Sequence, residues 1–95
     1  MKNLFITTTL HRYLRSKNAF TIVDHIIELQ KNPQAFNEDF QVWKITKIDE
    51  TTFSLELKAG NLNVILAHYF QSASILIFEL TVWLENSTLY FLSEH

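Results

Sequence analysis

The sequence predicts a single α+β domain in which one main amphipathic helix packs on an antiparallel meander sheet of four to six strands. Three observations predict it: helical periodicity at residues 19–31, a series of strand-like segments from residue 41 onward, and short polar turns between those segments. Parallel neighbours need crossovers of a dozen or more residues, so the short turns indicate antiparallel pairing. A chain of 95 residues fits one domain, residues 1–95.

The helix is expected to begin near Asn18 or Ser16, since either side chain can accept hydrogen bonds from its first N–H groups. Its apolar side chains fall on one half of a helical wheel, and we expect that half to pack on the sheet. Those side chains are Ala19, Phe20, Ile22, Val23, Ile26, Ile27 and Leu29. Gln30 lies among them and is expected to reach outward at the helix end. Asn32-Pro33 ends the helix, because proline cannot continue the hydrogen-bond ladder.

Strand-like segments fill the second half of the chain. The predicted strands are residues 41–48, 53–58, 62–70, 75–84 and 89–93, and the predicted turns are 49–52, 59–61, 71–74 and 85–88. Alternation is clearest where Phe53, Leu55 and Leu57 are separated by polar residues. The front segment, residues 4–14, suits a strand or a short helix, and its threonine-rich, branched composition slightly favours a strand.

A four-residue loop at 71–74 would pair residues 62–70 and 75–84 as a hairpin with two apolar faces. One helix covers only one of them, and soluble monomers rarely expose apolar patches beyond roughly a few hundred Å². We therefore expect the front segment, a second copy or a partner protein on the other face, with a two-fold homodimer as one arrangement. The partner-binding candidates in this register are Leu62, Leu66, His68, Glu79 and Trp83.

Charge is distributed unevenly around a net value of −2. Four cations and no acid precede Asp24, giving +4, while ten acids against four lysines give −6 in the remainder. The front carries a basic cluster that combines cations with an aromatic ring, as nucleic-acid-binding surfaces do. Its members are His11, Arg12, Tyr13, Arg15 and Lys17. The acidic remainder argues against nucleic acid, and a solvated basic segment is the simpler interpretation.

Signals for catalysis are weak. His68 and Glu79 would be diagonal neighbours in the hairpin, which allows acid–base chemistry or a purely structural hydrogen bond. No histidine pair has the i, i+4 spacing of a zinc motif, and cysteine is absent. We therefore expect no enzymatic activity, no cofactor and no metal site.

The chain also lacks the signals of a membrane or secreted protein. Its longest nearly apolar stretch, residues 75–84, is far shorter than the ~20 residues that span a bilayer. The absence of cysteine suits a reducing compartment. We expect a soluble, cytoplasmic protein with no membrane partner.

Two stretches resemble a known family. Residues 40–45, FQVWKI, resemble the FQVWKL strand of a small, uncharacterised bacterial domain-of-unknown-function family, and residues 80–95 are similar to its LTLYLENGVLLLPSE ending. The chain departs from that family at residues 59–61 and 71–74, and it has Leu92 in place of a proline near the end. The resemblance implies a bacterial, phage-borne or plasmid-borne protein and implies no activity.

We predict from these observations a small non-enzymatic protein-binding module that acts by occlusion or assembly. It would use its second sheet face or its charged helix face, and a phage- or plasmid-borne inhibitor of a host defence system is one concrete version. The alternatives are a nucleic-acid-binding accessory protein that uses the N-terminal basic cluster, and a small hydrolase or ribonuclease.

Overall fold

A computed structural model describes residues 4–58 and 63–91 of the chain. In this part the elements are β1 (Phe5–Ile6), α1 (Thr8–Ser16), α2 (Thr21–Leu29), α3 (Pro33–Phe36), β2 (Phe40–Lys47), β3 (Thr52–Lys58), β4 (Val64–Gln71), β5 (Glu79–Glu85) and β6 (Thr88–Phe91). Their six strands form one sheet in the order β1-β6-β5-β2-β3-β4. The predicted α+β class is confirmed, and the core lies between the helices and one face of the sheet.

Two features of the predicted architecture are wrong. The sheet is mixed, because β1 runs parallel to β6. There is also no single main helix, since α1 and α2 each have nine residues. The front segment, for which a strand was slightly favoured, forms only two strand residues before α1. Thr7 caps α1 by accepting from the Leu10 N–H at 3.4 Å, and Leu10 and Leu14 enter the core.

The predicted start of α2 also differs. Asn18 does not cap it: its φ of 54° is left-handed and lies just after α1. The Ser16 hydroxyl instead donates to the Tyr13 carbonyl at 2.7 Å within α1. The buried residues of α2 are Ile22, Val23 and Ile26, as predicted. Ile27 was placed on the same side but is 37% exposed, because it lies at the border of the apolar stripe.

The structure differs most from the predicted fold in the strand that pairs with β5. The predicted β4–β5 hairpin is wrong, since β5 pairs antiparallel with β2 and leaves β4 at the edge of the sheet. Strands β2, β3 and β4 form the predicted meander, and β5 returns beside β2 in Greek-key order. The connection, residues 72–78, buries Ile75 and Ile77 in the core. Its Leu76 N–H donates to the Lys17 carbonyl at 2.9 Å, which fixes the connection beside the end of α1.

Two predicted turns are confirmed, one by side-chain hydrogen bonds and the other by its backbone angles. Between β2 and β3, Asp49 accepts from the N–H groups of Thr51 and Thr52 at 3.0 and 2.8 Å, and these bonds, Thr51 first, lower the pKa of its carboxyl group. Between β5 and β6, Asn86 and Ser87 have φ values of 53° and 62°, as a tight type I′ hairpin turn requires. The turn predicted at 59–61 lies outside the described residues.

Candidate functional site

The two faces of the sheet have different surroundings. Helix α2 lies over Phe70 through His25, and α1 lies over Phe91 through Tyr13. Phe70 and Phe91 belong to the sheet face that also carries Trp43, Leu57 and Val82. The opposite face, which we name the open face, is covered by none of the described helices.

The strand registers determine which side chains occupy the open face. They are Phe5 on β1, Thr88 and Tyr90 on β6, Glu79, Thr81, Trp83 and Glu85 on β5, Phe40, Val42, Lys44 and Thr46 on β2, Thr52, Ser54, Glu56 and Lys58 on β3, and Val64, Ala67, Tyr69 and Gln71 on β4. The two apolar faces predicted for a hairpin of residues 62–84 do not form, because β4 and β5 are not neighbours in the sheet. Apolar side chains gather mainly at one corner, and the centre of the face is polar.

Four aromatic residues, Phe5, Phe40, Trp83 and Tyr90, form this corner, which we name the aromatic corner. The Trp83 ring meets Phe40 edge to face at 4.9 Å between centroids and Tyr90 at 6.0 Å. Phe5, at the sheet edge, is 63% exposed. The Tyr90 hydroxyl donates to Glu85 at 3.1 Å, and its pKa is raised by partial desolvation and by this carboxylate. The Phe40, Trp83 and Tyr90 rings are therefore held in place by their contacts with one another, and Phe5 extends the corner to the sheet edge.

An acidic cleft opens at the same end of the sheet, on the helix side. It encloses about 740 Å³ between α3 and the β5–β6 turn, with an apolar wall that includes Leu4, Phe36 and Leu84. Glu38 and Asp39 lie at this cleft, immediately before β2, and neither forms an ion pair with another described residue. Because Asp39 directly precedes Phe40, the acidic cleft adjoins the aromatic corner.

A buried amide network forms the floor of the cleft. Gln30 and Gln41 exchange reciprocal amide hydrogen bonds of 2.8 and 2.9 Å. The same Gln41 accepts from the Trp43 indole N–H at 2.8 Å and donates to the Ala35 carbonyl at 2.8 Å. Gln30 is thus buried, contrary to the prediction that it reaches outward. The network ties α2, α3 and β2 together beneath the cleft.

The proposed pairing of His68 with Glu79 does not occur. Glu79 lies on the open face of β5, where its carboxylate accepts from the Lys44 ammonium at 2.9 Å. His68 lies on the helix-side face of β4, opposite Leu55. With β2 and β3 between their strands, the two side chains cannot share a proton, and the acid–base pair expected from the hairpin register is excluded.

His68 instead neighbours His25 of α2. Their ring centroids are 5.2 Å apart, and His25 stacks on Phe70 at 4.3 Å. Partial burial lowers the pKa of His25 from its usual 6.5, and the nearby His68 lowers it further, while Asp24 opposes both effects. The fold therefore favours the neutral form of His25.

This arrangement predicts a pH dependence that can be measured. As the pH is lowered, the unfolded chain binds a proton at His25 before the folded protein does. The contribution of neutral His25 to the free energy of unfolding is therefore fully present above pH 6.5 and is lost as the pH falls toward the folded-state pKa. We expect an NMR titration to place the His25 pKa below 6.5, and His68→Gln to raise it by removing the repulsion. A His25 pKa at or above 6.5 in the unmodified protein would contradict the burial described here.

The five predicted partner-binding residues are dispersed. Trp83 lies in the aromatic corner and Glu79 in the polar centre of the open face. Leu66 and His68 lie on the helix-side face, and Leu62 lies outside the described residues. Phe40 and Tyr90 were missed as neighbours of Trp83, because their positions depend on which strands flank β5.

The N-terminal basic cluster belongs mainly to α1. His11, Arg12 and Arg15 are exposed along one side of the helix, with His11 edge-on to Phe20 at 5.0 Å. Tyr13 is not part of that surface, because it packs against Phe91. The Lys17 ammonium lies 5.9 Å from the Tyr13 ring centroid. The structure thus keeps His11, Arg12 and Arg15 together on one exposed side of α1, whereas Lys17 lies beside Tyr13.

Residues 4–58 and 63–91 contain no group of three or more histidine, aspartate or glutamate side chains arranged to hold a metal ion. Within the same ranges, none of the helices has both the length and the apolar character needed to cross a membrane.

Comparison with known proteins identifies a family without assigning an activity. No significant match is found among curated proteins or among solved structures. One family model matches residues 1–95, and its description is a family of unknown function, DUF6876. The resemblance to an uncharacterised family is therefore confirmed at that level. The match extends over all 95 residues, and the chain belongs to the DUF6876 family.

Proposed function

We propose that the domain is a non-enzymatic protein-binding module whose docking surface is the aromatic corner. The supporting observation is the contiguous row formed by Phe40, Trp83 and Tyr90 on a sheet face that no described helix covers. Tryptophan and tyrosine dominate binding energy at protein interfaces, because large rigid rings bury much apolar area at little entropic cost. The contacts among these rings preorganise them for a partner.

The charges around the corner specify the chemistry of that partner. Glu85 lies on the same face as the corner, Glu38 and Asp39 lie at the adjoining cleft, and none of the three forms an ion pair with a described residue. An apolar surface bordered by carboxylates fits a protein surface that presents apolar side chains flanked by lysine or arginine. Such complementarity steers the encounter and excludes acidic partners.

Site-specific photo-crosslinking in cells of the source organism tests this proposal. A photoreactive phenylalanine analogue would replace Phe5 or Tyr90 in the corner, with Leu76 and Phe78 as control positions because both are exposed apolar side chains away from the corner and from β4. We expect one discrete protein adduct from the corner positions only. With the purified partner, Trp83→Ala should weaken binding about 30-fold or more, the size of a typical interface hot spot.

The controls separate docking from other outcomes. Thermal unfolding of Trp83→Ala must show that the domain remains folded, and Phe78→Ala should bind normally. Equal crosslinking from all four positions, or binding unaffected by Trp83→Ala, would overturn the proposal.

The second candidate function is nucleic-acid binding by α1. It is favoured by the exposed stripe of His11, Arg12 and Arg15, whose cations have no ion pair with a described residue. Adducts that disappear on nuclease treatment, together with affinity that falls steeply with salt, would support this candidate over the first.

A further inference from the structure

Strand β4 is an unusually open edge of the sheet. It is eight residues long and has β3 as its only strand neighbour in the described sheet. The opposite edge is β1, which has only two residues. A long edge strand presents unpaired main-chain groups that can pair with another strand.

The hydrogen-bond pattern shows which residues present those groups. The Ser72 N–H donates to the Thr51 carbonyl at 2.8 Å, so this pair is a hydrogen-bonding position of the antiparallel ladder. Such positions alternate along the strand. Ala67, Tyr69 and Gln71 consequently direct their N–H and C=O groups away from β3. All three residues are exposed, and Tyr69 is 62% exposed.

The charged residues and prolines that often protect an edge strand are missing from this segment. Between Val64 and Gln71 the sequence has no lysine, arginine, aspartate, glutamate, proline or glycine. The one irregularity in the β3–β4 register lies at Leu57 and Lys58, near the beginning of β4, and leaves the pairing of 66–71 regular. Natural proteins generally block such edges with charges, prolines or bulges, so an unblocked edge indicates a strand partner.

We propose that β4 pairs with β4 of a second copy of this chain, antiparallel across a two-fold axis perpendicular to the sheet. This axis keeps the open faces of both copies on the same side. A register centred on Tyr69 would match Ala67 of one copy with Gln71 of the other and form about six main-chain hydrogen bonds, two for each pair. It would also place Tyr69 opposite Tyr69 of the second copy, and aromatic cross-strand pairs stabilise a sheet.

A second copy is the occupant that this edge fits best. A strand without lysine, arginine, aspartate or glutamate meets its own copy without repulsion between such charges, and a two-fold axis satisfies both free edges at once. The aromatic corner lies at the other end of the strand order, so both copies keep it accessible. The inference does not depend on the proposed function.

The test combines molecular mass with amide exchange measured at single residues. Light scattering after size exclusion should give about 22 kDa, twice the 11.2 kDa of one chain, at micromolar concentration. In that sample the amides of Ala67, Tyr69 and Gln71 should exchange slowly, and dilution should make their exchange fast. A mass near 11.2 kDa at every concentration would overturn the proposal. A dimer in which these three amides exchange fast would overturn it too, because its interface would lie elsewhere.

Two edge variants and two matched controls sharpen the test. Ala67→Pro removes an outward N–H without breaking a bond to β3, and Tyr69→Lys adds a charge at the edge. Both should give the single-chain mass with an unchanged circular dichroism spectrum. Ala67→Thr keeps the N–H, and Phe78→Lys places the same charge at an exposed aromatic away from β4, so both should remain dimeric. Dimers that persist in both edge variants would contradict the proposed pairing.

Discussion

Replacing Gln41 with leucine should lower the free energy of unfolding by about 2–4 kcal/mol, since each buried donor left without an acceptor costs about 1–3 kcal/mol. The Gln41 side-chain oxygen accepts from both the Trp43 indole and the Gln30 amide, and a leucine side chain at this position would accept from neither. Water cannot easily take its place at the Trp43 indole, because Trp43 is fully buried. Urea unfolding at neutral pH measures the loss.

Two further variants identify the cause of that loss. Gln30→Leu keeps the bond between Trp43 and Gln41, so we expect it to cost less than Gln41→Leu. Adding Trp43→Phe to Gln41→Leu removes the orphaned indole N–H, and the double variant should be more stable than the sum of the two single changes predicts. Strict additivity, or a loss below about half a kcal/mol for Gln41→Leu, would show that the network contributes little.

The network also connects stability to the candidate site. Gln41 donates to the Ala35 carbonyl of α3 and to the Glu38 carbonyl at 3.2 Å, and it directly follows Phe40 in β2. The buried amides therefore fix the chain segment that carries Glu38, Asp39 and Phe40. This is why the cleft and the aromatic corner meet at a defined position.

Side-chain alternation made the faces of individual strands predictable. Phe53, Leu55 and Leu57 are all fully buried, as their period of two predicts. Helical spacing likewise predicted the buried side of α2, and the turn residues predicted two hairpins. These signals are local, since each depends on residues only a few positions apart.

Strand partners were harder to predict, because alternation contains no information about the neighbouring strand. The apolar run at 75–84 has the composition of one strand, yet its first part is a connection whose Ile75 and Ile77 fill the core from outside the sheet. The pairing of β5 with β2 brings Val82 against Trp43 and Leu80 against Ile45. A four-residue loop at 71–74 was locally reasonable, but tertiary packing decided the topology.

In the candidate site, too, the position of a single side chain could be predicted from local signals, but its neighbours on adjacent strands could not. Trp83 was singled out from the sequence as a partner-binding candidate, and the structure places it in the aromatic corner. Its neighbours depend on which strands flank β5, so Phe40 and Tyr90 could not be assigned to it from sequence. The His68–Glu79 pair failed for the same reason, as it required β4 and β5 to be adjacent.

A matched pair of phenylalanine truncations tests the corrected topology directly. Phe53 is fully buried and stacks on Phe70 at 5.5 Å, so Phe53→Ala should cost about 3–5 kcal/mol, as truncations of buried aromatics do. Phe78 is 78% exposed and contacts the Lys47 ammonium at 5.2 Å, so Phe78→Ala should cost less than about 1 kcal/mol. Chemical denaturation of both variants under one condition measures the difference. In the β4–β5 hairpin expected from sequence, Phe78 would share a sheet face with Leu80, and comparable losses at the two positions would favour that hairpin. A large loss at Phe53 alone is the result expected from the structure, in which Phe78 is exposed in the connection between β4 and β5.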